Sequence, residues 1–477
     1  MGSTAPFRVV ATLLLLAVAG TVFVFVRDAL GTAPALIASA VLLFLGPAWE
    51  HLLWPMEIGF SGSLAAGLGA LLALRRGDRA GDLWAAGLLV VSLAFSSLAL
   101  VFAAGAAVDV ALRGRDRVGR AWIPALPVAL YVLWYAGYGH EAESSVSLDN
   151  LLAAPHYVWS SASSAMASVF GLTGIGSAQS RSLGVSAEFG RALLVGWLVL
   201  VGWLVARRPA ALSREFWVLA VAALAFWALA GLNQAPGREA GASRYQLVGA
   251  VFIVLITSEL CRGSRLARGW LWLVGLVAAA AVVSNLGALR AGEHFFRDQS
   301  DAHLGALAAL ESARDQIDPE TVIEPTFPGT PFPQPVSAAD YFDAVDRWGS
   351  PVGDPEAALS GPEPARQAAD SLLAATFDLR LEAAAPGTDA AARCPRVEVD
   401  RASGSASVEL APAGARFRDP DGAATVRLRR WSATSYPVDL GELASGTTEL
   451  AIPDDGAGRP WVAEVSGSGP VEVCPLG

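Results

Sequence analysis

The stretch Leu83–Leu112 reads LWAAGLLVVSLAFSSLALVFAAGAAVDVAL, with Asp109 as its only carboxylate. A spanning helix takes about 20 apolar residues. The stretch is therefore too long for one simple span and too short for two spans and a turn. Arg75, Arg76 and Arg79 precede it, and Arg113, Arg115, Arg117 and Arg120 follow it. Arginine-rich loops stay on the cytoplasmic side, so both ends of the stretch belong there. The economical reading is a hairpin of two short helices broken near Phe95-Ser96-Ser97, its backbone covered by neighbouring helices.

On either side of this hairpin, apolar runs at Phe7–Val26, Ala33–Trp49, Ile58–Leu74, Ala121–Tyr138, Arg191–Ala206, Phe216–Leu232, Tyr245–Leu260 and Gly269–Leu289 are candidate spans. Trp49, Trp54, Trp122, Tyr138, Tyr245 and Trp270 stand at their ends, as interfacial aromatics do. Loops carrying Arg27, the two clusters already named, Arg207/Arg208/Arg214 and Arg262/Arg265/Arg268 fall on one side. The opposite loops carry His51, Glu57, His140, Glu141, Glu143 and Asp149, with Arg181, Arg238 and Arg244 as exceptions. Eight spans plus the hairpin place both termini outside the cytoplasm. That orientation asks for a further helix ahead of Phe7. The Ser- and Ala-rich segment Leu151–Gly176 keeps the parity only as a re-entrant or interfacial element on the outer face.

Composition agrees with a membrane body and a different tail. The 477 residues are 53% hydrophobic and 16% charged, and all 34 basic residues are arginine. From Arg290 onward 15 Arg face 30 Asp plus Glu, a net of −15, while the rest carries 19 against 14, a net of +5. The acidic balance argues against nucleic acid as a partner. We therefore expect a mainly α protein: a polytopic helical domain over 1–290 in the plasma membrane, a helical and Pro-rich exterior connector over 291–393, and a small exterior β-sandwich over 394–477. In the connector, Glu293–Ile317, Ala338–Trp348 and Pro364–Leu381 read as helices and Asp318–Pro335 as an extended strap. In the last part, Val397–Val399, Ala406–Leu410, Thr425–Leu428 and Trp461–Val465 alternate like strands. Cys394 and Cys474 bracket that region; they are either a disulfide formed in an oxidising compartment or two unrelated thiols.

The motifs that are missing restrict the chemistry. There is no Gly-Lys-Ser/Thr phosphate loop, no His-Glu-x-x-His, no nucleophile elbow and no metal-spaced cysteine set. His140-Glu141-Ala142-Glu143 matches no standard ligand pattern, so neither metal nor cofactor is expected. Ionisable residues are scarce at membrane depth, which counts against ion-coupled transport. Three patterns stand out. Gly46-Pro47-Ala48-Trp49-Glu50-His51-Leu52-Leu53-Trp54-Pro55-Met56-Glu57 bends an outer helix junction and offers Glu50 and Glu57 there; it is equally a capped, aromatic-anchored turn. The broken hairpin at Ser96-Ser97 is the second. Ser243-Arg244-Tyr245 is the third: its arginine either anchors a helix at the headgroups or binds one particular phosphate.

The order of a Pro-x-Trp-Glu turn, a helix, an arginine-rich loop, a broken two-helix hairpin and a second arginine-rich loop, followed later by Arg-Tyr and a helix, resembles the membrane core of C-type glycosyltransferases. The resemblance covers about residues 1–290. The tail, with Ala338-Ala339-Asp340-Tyr341 and Arg347-Trp348-Gly349-Ser350-Pro351, is similar to tails on actinobacterial proteins of this type. The resemblance implies transfer of a sugar from a polyprenyl-phosphate donor to a cell-envelope glycan acceptor at the outer face of the bilayer. Arg244 and Tyr245 would then lie at the lipid phosphate, with Glu50, Glu57 and Trp54 on the acceptor side. It also implies a catalytic acidic residue in a loop after a leading helix, and this chain opens on what resembles a later helix. The general base is therefore unassigned. The other class is a non-catalytic envelope protein whose acidic tail binds glycan or protein partners.

Overall fold

The computed structural model describes residues 5–113, 117–139, 145–172, 187–207, 212–264, 267–323, 336–384, 394–400, 404–419, 424–444, 446–454, 458–467 and 469–476. The chain divides into two compact units, one ending at Glu293 and one beginning at His294. The first is helical: α1 (Ala5–Leu30), α2 (Thr32–Leu43), α3 (Trp49–Leu53), α4 (Ile58–Arg75), α5 (Arg79–Phe95), α6 (Ala99–Ala111), α7 (Arg117–Arg120), α8 (Trp122–Tyr138), α9 (Leu148–Val169), α10 (Ala187–Arg207), α11 (Arg214–Leu232), α12 (Ser243–Leu260) and the 45-residue α13 (Arg268–Ser312).

Among the described residues, six helices are long and apolar enough to cross a membrane: α1, α4 with the turn before it, α10, α11, α12 and α13. The pair α2 and α3 makes a seventh if its 50° bend is taken as one broken span. The run expected at Ala121–Tyr138 is helical as α8 but has only 17 residues. Apolar side chains point away from the bundle, with Trp272 77%, Leu276 70% and Val199 67% exposed. In a bilayer that exposure carries no hydrophobic cost. Leu64, Leu68, Phe102, Val248 and Phe252 fill the inside.

Leu83–Leu112 is a broken hairpin: α5 and α6 are separated by Ser96-Ser97-Leu98. The break is satisfied from within and by α4. Ser96 N–H donates to the Ser92 carbonyl at 3.0 Å, and the Ser96 carbonyl accepts from the Ser63 hydroxyl at 3.4 Å. The hydroxyls of Ser63 and Ser92 are 2.8 Å apart. The Phe95 ring lies where a Cβ on Gly62 would stand.

The bundle has two charged ends. At one, Arg75 and Arg262 donate to Glu259, each at 2.6 Å. Arg113 and Arg214 reach Asp109 at 2.7 and 3.0 Å, and Arg120 pairs with Asp82. Arg75 closes α4 and Glu259 lies in the last turn of α12, so the two helices, both packed on α1, run in the same direction. Their other ends carry the second group, Glu57 before α4 and Arg244 in the first turn of α12. Eighteen helical residues separate the two groups along α4, about 27 Å at 1.5 Å per residue, close to the ~30 Å of bilayer hydrocarbon.

The span Gly269–Leu289 and the amphipathic stretch from Glu293, expected as two helices, form the single helix α13. Neither stretch contains a proline to stop it. The second unit goes on with strand β1 (Val322–Ile323) paired to β2 (Val336–Ser337), then α14 (Ala338–Trp348), α15 (Pro355–Leu359) and α16 (Glu363–Thr376). Nine strands follow: β3 (Glu382–Ala383), β4 (Arg396–Val397), β5 (Ser405–Glu409), β6 (Gly414–Asp419), β7 (Thr425–Arg429), β8 (Val438–Glu442), β9 (Gly446–Ala451), β10 (Val462–Ser466) and β11 (Val471–Pro475). They form antiparallel sheets in the orders β5-β10-β7-β8 and β3-β9-β6-β11-β4. Val426, Leu428, Ala463 and Val465 of the first sheet share one core with Phe417, Leu450 and Val473 of the second, the alternate positions of each strand. Cys394 and Cys474 are disulfide-bonded, with Cα atoms 4.8 Å apart, where β4 pairs with β11.

Candidate functional site

Between α2 and α4 the chain cannot continue as one helix. Pro47 starts a one-turn 3-10 helix, Gly46–Ala48, and Pro55 starts another, Pro55–Glu57, with α3 between them. A proline disfavours helical backbone at the residue before it, and Trp54 is extended at φ −98° and ψ 113°. The two turns carry the polar residues inward: Glu50 is 9%, His51 1% and Glu57 6% exposed. Glycine lets α13 close over this segment, because a Cβ on Gly46 would collide with the Asn285 carbonyl and one on Gly292 with the Trp49 indole.

Helix α12 begins against α3. The Glu50 N–H donates to the Ser243 hydroxyl at 3.0 Å, across 193 residues of sequence. That bond brings Arg244 Nε to 3.4 Å from Glu50 Oε2. His51 Nε2 lies 3.6 Å from Glu57 Oε2, with its ring edge-on to Phe60. The His51–Glu57 separation is too long for a hydrogen bond, and the Arg244–Glu50 contact is a long ion pair. Among the described residues, Glu50 Oε2, Glu57 Oε2, Arg244 Nε and both His51 nitrogens are buried with no hydrogen-bond partner. Leaving such groups unmatched is costly. Two carboxylates, an imidazole and a guanidinium held this way are an arrangement suited to moving a proton and holding an anion.

Helix α9, the Ser- and Ala-rich segment, is unbroken, packs against α10, α11 and α12, and is hydrogen-bonded at this end of the bundle. Asn150 donates to the carbonyls of Leu232 and Gln234, and the Tyr157 hydroxyl to that of Arg238. Ala165 sits against Gly249, and the Ser168 hydroxyl donates to Gln246 Oε1 at 3.0 Å. Asn285 Nδ2 donates to the Ser168 carbonyl at 3.1 Å, which ties α13 to the same group. Residues 173–176, the end of the segment as read from the sequence, lie outside the described residues.

Of the residues singled out by sequence, Glu50, Glu57 and Arg244 come together. Tyr245 is half-buried and packs edge-on against Phe226, with ring centroids 6.0 Å apart. Trp54 is half-buried beside the second turn. The sequence reading did not single out His51, Gln246 or Asn285 as site residues. Each is a lone polar residue within or beside an apolar run, which is itself a signal in a membrane segment. No three His, Cys, Asp or Glu side chains among the described residues are placed to hold a metal, and His140–Glu143 lie outside those residues. No known family model, curated protein or solved structure matches the chain.

Proposed function

We propose that this protein is a C-type glycosyltransferase-like enzyme of the plasma membrane, with both the Glu50–Arg244 end of its bundle and its C-terminal unit outside the cytoplasm. In this reading the eight apolar runs cross the bilayer and the two sheets form a disulfide-closed sandwich. The donor is a sugar on a polyprenyl phosphate, and the acceptor is an envelope glycan. What carries the reading is the Glu50–Arg244 pair at 3.4 Å, a buried carboxylate beside a half-buried guanidinium, at the end of the bundle where this reading puts the lipid phosphate headgroup. A carboxylate takes the proton of the acceptor hydroxyl as its oxygen bonds to the sugar anomeric carbon. The bond from that carbon to the phosphate oxygen breaks, and the phosphate leaves with the electron pair toward Arg244. Glu50 and Glu57 are the carboxylates within reach, and the choice between them is left to mutation.

The test is sugar transfer from a polyprenyl-phosphate donor in proteoliposomes. Arg244→Lys should lower transfer about 100-fold, and of Glu50→Gln and Glu57→Gln the one that removes the base should abolish it, with membrane insertion intact in all three. Full activity in the lysine variant makes Arg244 an anchor, and absence of transfer by the unaltered protein favours the non-catalytic envelope protein. Orientation is checked separately in a Cys261→Ser background. Arg76→Cys should be shielded from an impermeant thiol reagent in intact cells, and Trp348→Cys should react. The reverse pattern overturns the orientation.

A further inference from the structure

The C-terminal unit is acidic, yet four of its arginines face one cavity. Arg366, Arg429, Arg430 and Arg459 line a space of about 310 Å³ in which Glu409 is the only lining carboxylate. From Arg290 onward acids outnumber arginines by 30 to 15, so this local excess runs against the composition of the whole unit. Guanidinium groups gathered about one cavity repel one another, and a bound anion is what offsets that repulsion.

The cavity is built on fixed supports. Strand β7 ends on Arg429 with Arg430 directly after it, the residues before β10 deliver Arg459, and α16 delivers Arg366. Arg430 is 7% exposed. Its guanidinium lies 5.2 Å from the Trp431 ring and 5.0 Å from that of Trp461, and its Nε donates to the Arg459 carbonyl at 2.6 Å. The loop after Arg430 is held by two carboxylates of α16. Asp370 accepts from the N–H groups of Trp431 and Ser432 at 2.9 and 3.1 Å, and Glu363 accepts from those of Ala433 and Thr434, each at 3.1 Å. Arg366 reaches Glu363 through one Nη at 2.9 Å, while its buried Nε has no hydrogen-bond partner among the described residues. Arginines fixed before a ligand arrives lose little freedom on binding it.

We infer that this cavity binds a phosphate group, carried by a small organic molecule that lies against Trp431, Pro460 and Val462. With Glu409 on the lining and Glu363 paired to Arg366, four guanidinium groups still outnumber two carboxylates, an excess that suits a dianion better than a single carboxylate, and their planar forks match phosphate oxygens. The volume falls within the range of small-molecule sites. The inference does not rest on the membrane site and stands or falls separately from it.

The test is calorimetric titration of the full chain in detergent with inorganic phosphate, glucose 1-phosphate and glucuronate. Both phosphates should bind saturably at millimolar concentration, and glucuronate at least about tenfold more weakly. Tighter binding of glucose 1-phosphate than of inorganic phosphate upholds the organic ligand; equal affinity overturns that part of the assignment. The double variant Arg429→Gln/Arg459→Gln should weaken phosphate binding at least about tenfold, or ~1.4 kcal/mol. Its circular dichroism and melting should match those of the unaltered chain. These two are chosen because Arg430, wedged between tryptophans, is needed for packing. Absence of saturable phosphate binding, or equal binding by the double variant, overturns the proposal.

Discussion

The two ends of the helical bundle bury charge in opposite ways. At the Arg75 end, Glu259 takes two arginines at 2.6 Å and Asp109 takes two more at 2.7 and 3.0 Å. At the Glu50 end the closest charged contacts are 3.4 and 3.6 Å, and five side-chain atoms of four residues lack a hydrogen-bond partner among the described residues, against only Arg120 Nε and Arg214 Nε of the charged groups named at the first end. The first end is assembled as a clasp between helices. The second keeps its groups apart although burial raises the cost of doing so, which is how a site differs from a joint.

The largest expected effect breaks the clasp. Glu259→Ala strands Arg75 and Arg262 without their acceptor and should cost about 4 kcal/mol in detergent unfolding, by loss of one partner of a buried pair. A cost below ~1 kcal/mol would remove the distinction between the two ends. Next comes Arg244→Lys, expected to lower sugar transfer about 100-fold, equivalent to ~2.7 kcal/mol, with an unchanged unfolding midpoint. Equal losses of activity and stability would make Arg244 a second clasp. Gly46→Ala places a Cβ on the Asn285 carbonyl and should cost about 2 kcal/mol, as overpacking does. Glu50→Gln keeps the shape and removes a charge whose single ion pair is long. Its effect on stability should stay below ~1 kcal/mol and is read from the same unfolding curves.

A smaller version of the contrast sits on α16. Burial works to raise the Glu363 carboxyl, but the N–H groups of Ala433 and Thr434, the Thr434 hydroxyl and Arg366 hold it down at about 2. Burial raises Asp370 despite its own donors. A depressed carboxyl stabilises the fold above its unfolded value near 4.5 and loses that contribution as pH falls toward 2. Acid unfolding of the C-terminal unit should therefore be shallower between pH 4.5 and 2 in Glu363→Gln than in the unaltered chain. Identical acid curves would mean that Glu363 contributes nothing through its charge.

How much of this could be read beforehand depends on the range of the interaction. Hydropathy and loop arginines are local signals, so seven of the eight apolar runs lie in single helices, the run Ala33–Trp49 breaks after Leu43, and the break at Ser96-Ser97 stands where two short helices had to part. Alternation is also local and located β5, β7 and β10. It passed over β6, where Arg416 and Arg418 alternate with Ala415 and Phe417, and β8, whose Gly441 interrupts the pattern. The single helix α13 was read as two because its composition changes near Glu293 while its backbone has no reason to stop. Glu50 and Arg244 were each singled out for their place at a helix end. Their pairing depends on a hydrogen bond across 193 residues, and nothing in either segment encodes it alone.

The serine contacts at the hairpin break bear on how the bundle is made. Within hydrocarbon, the Ser96 carbonyl of the turn accepts from the Ala99 N–H of α6 at 3.1 Å, and the Ser63 hydroxyl of α4 adds a second donor at 3.4 Å. A ribosome delivers α4 some twenty residues before that turn, so the acceptor's partner is already present when the turn emerges. At this break the chain order thus serves as an assembly sequence, since the turn follows the helix that lies against it, whereas the Gly46–Glu57 segment must wait for α12 and α13.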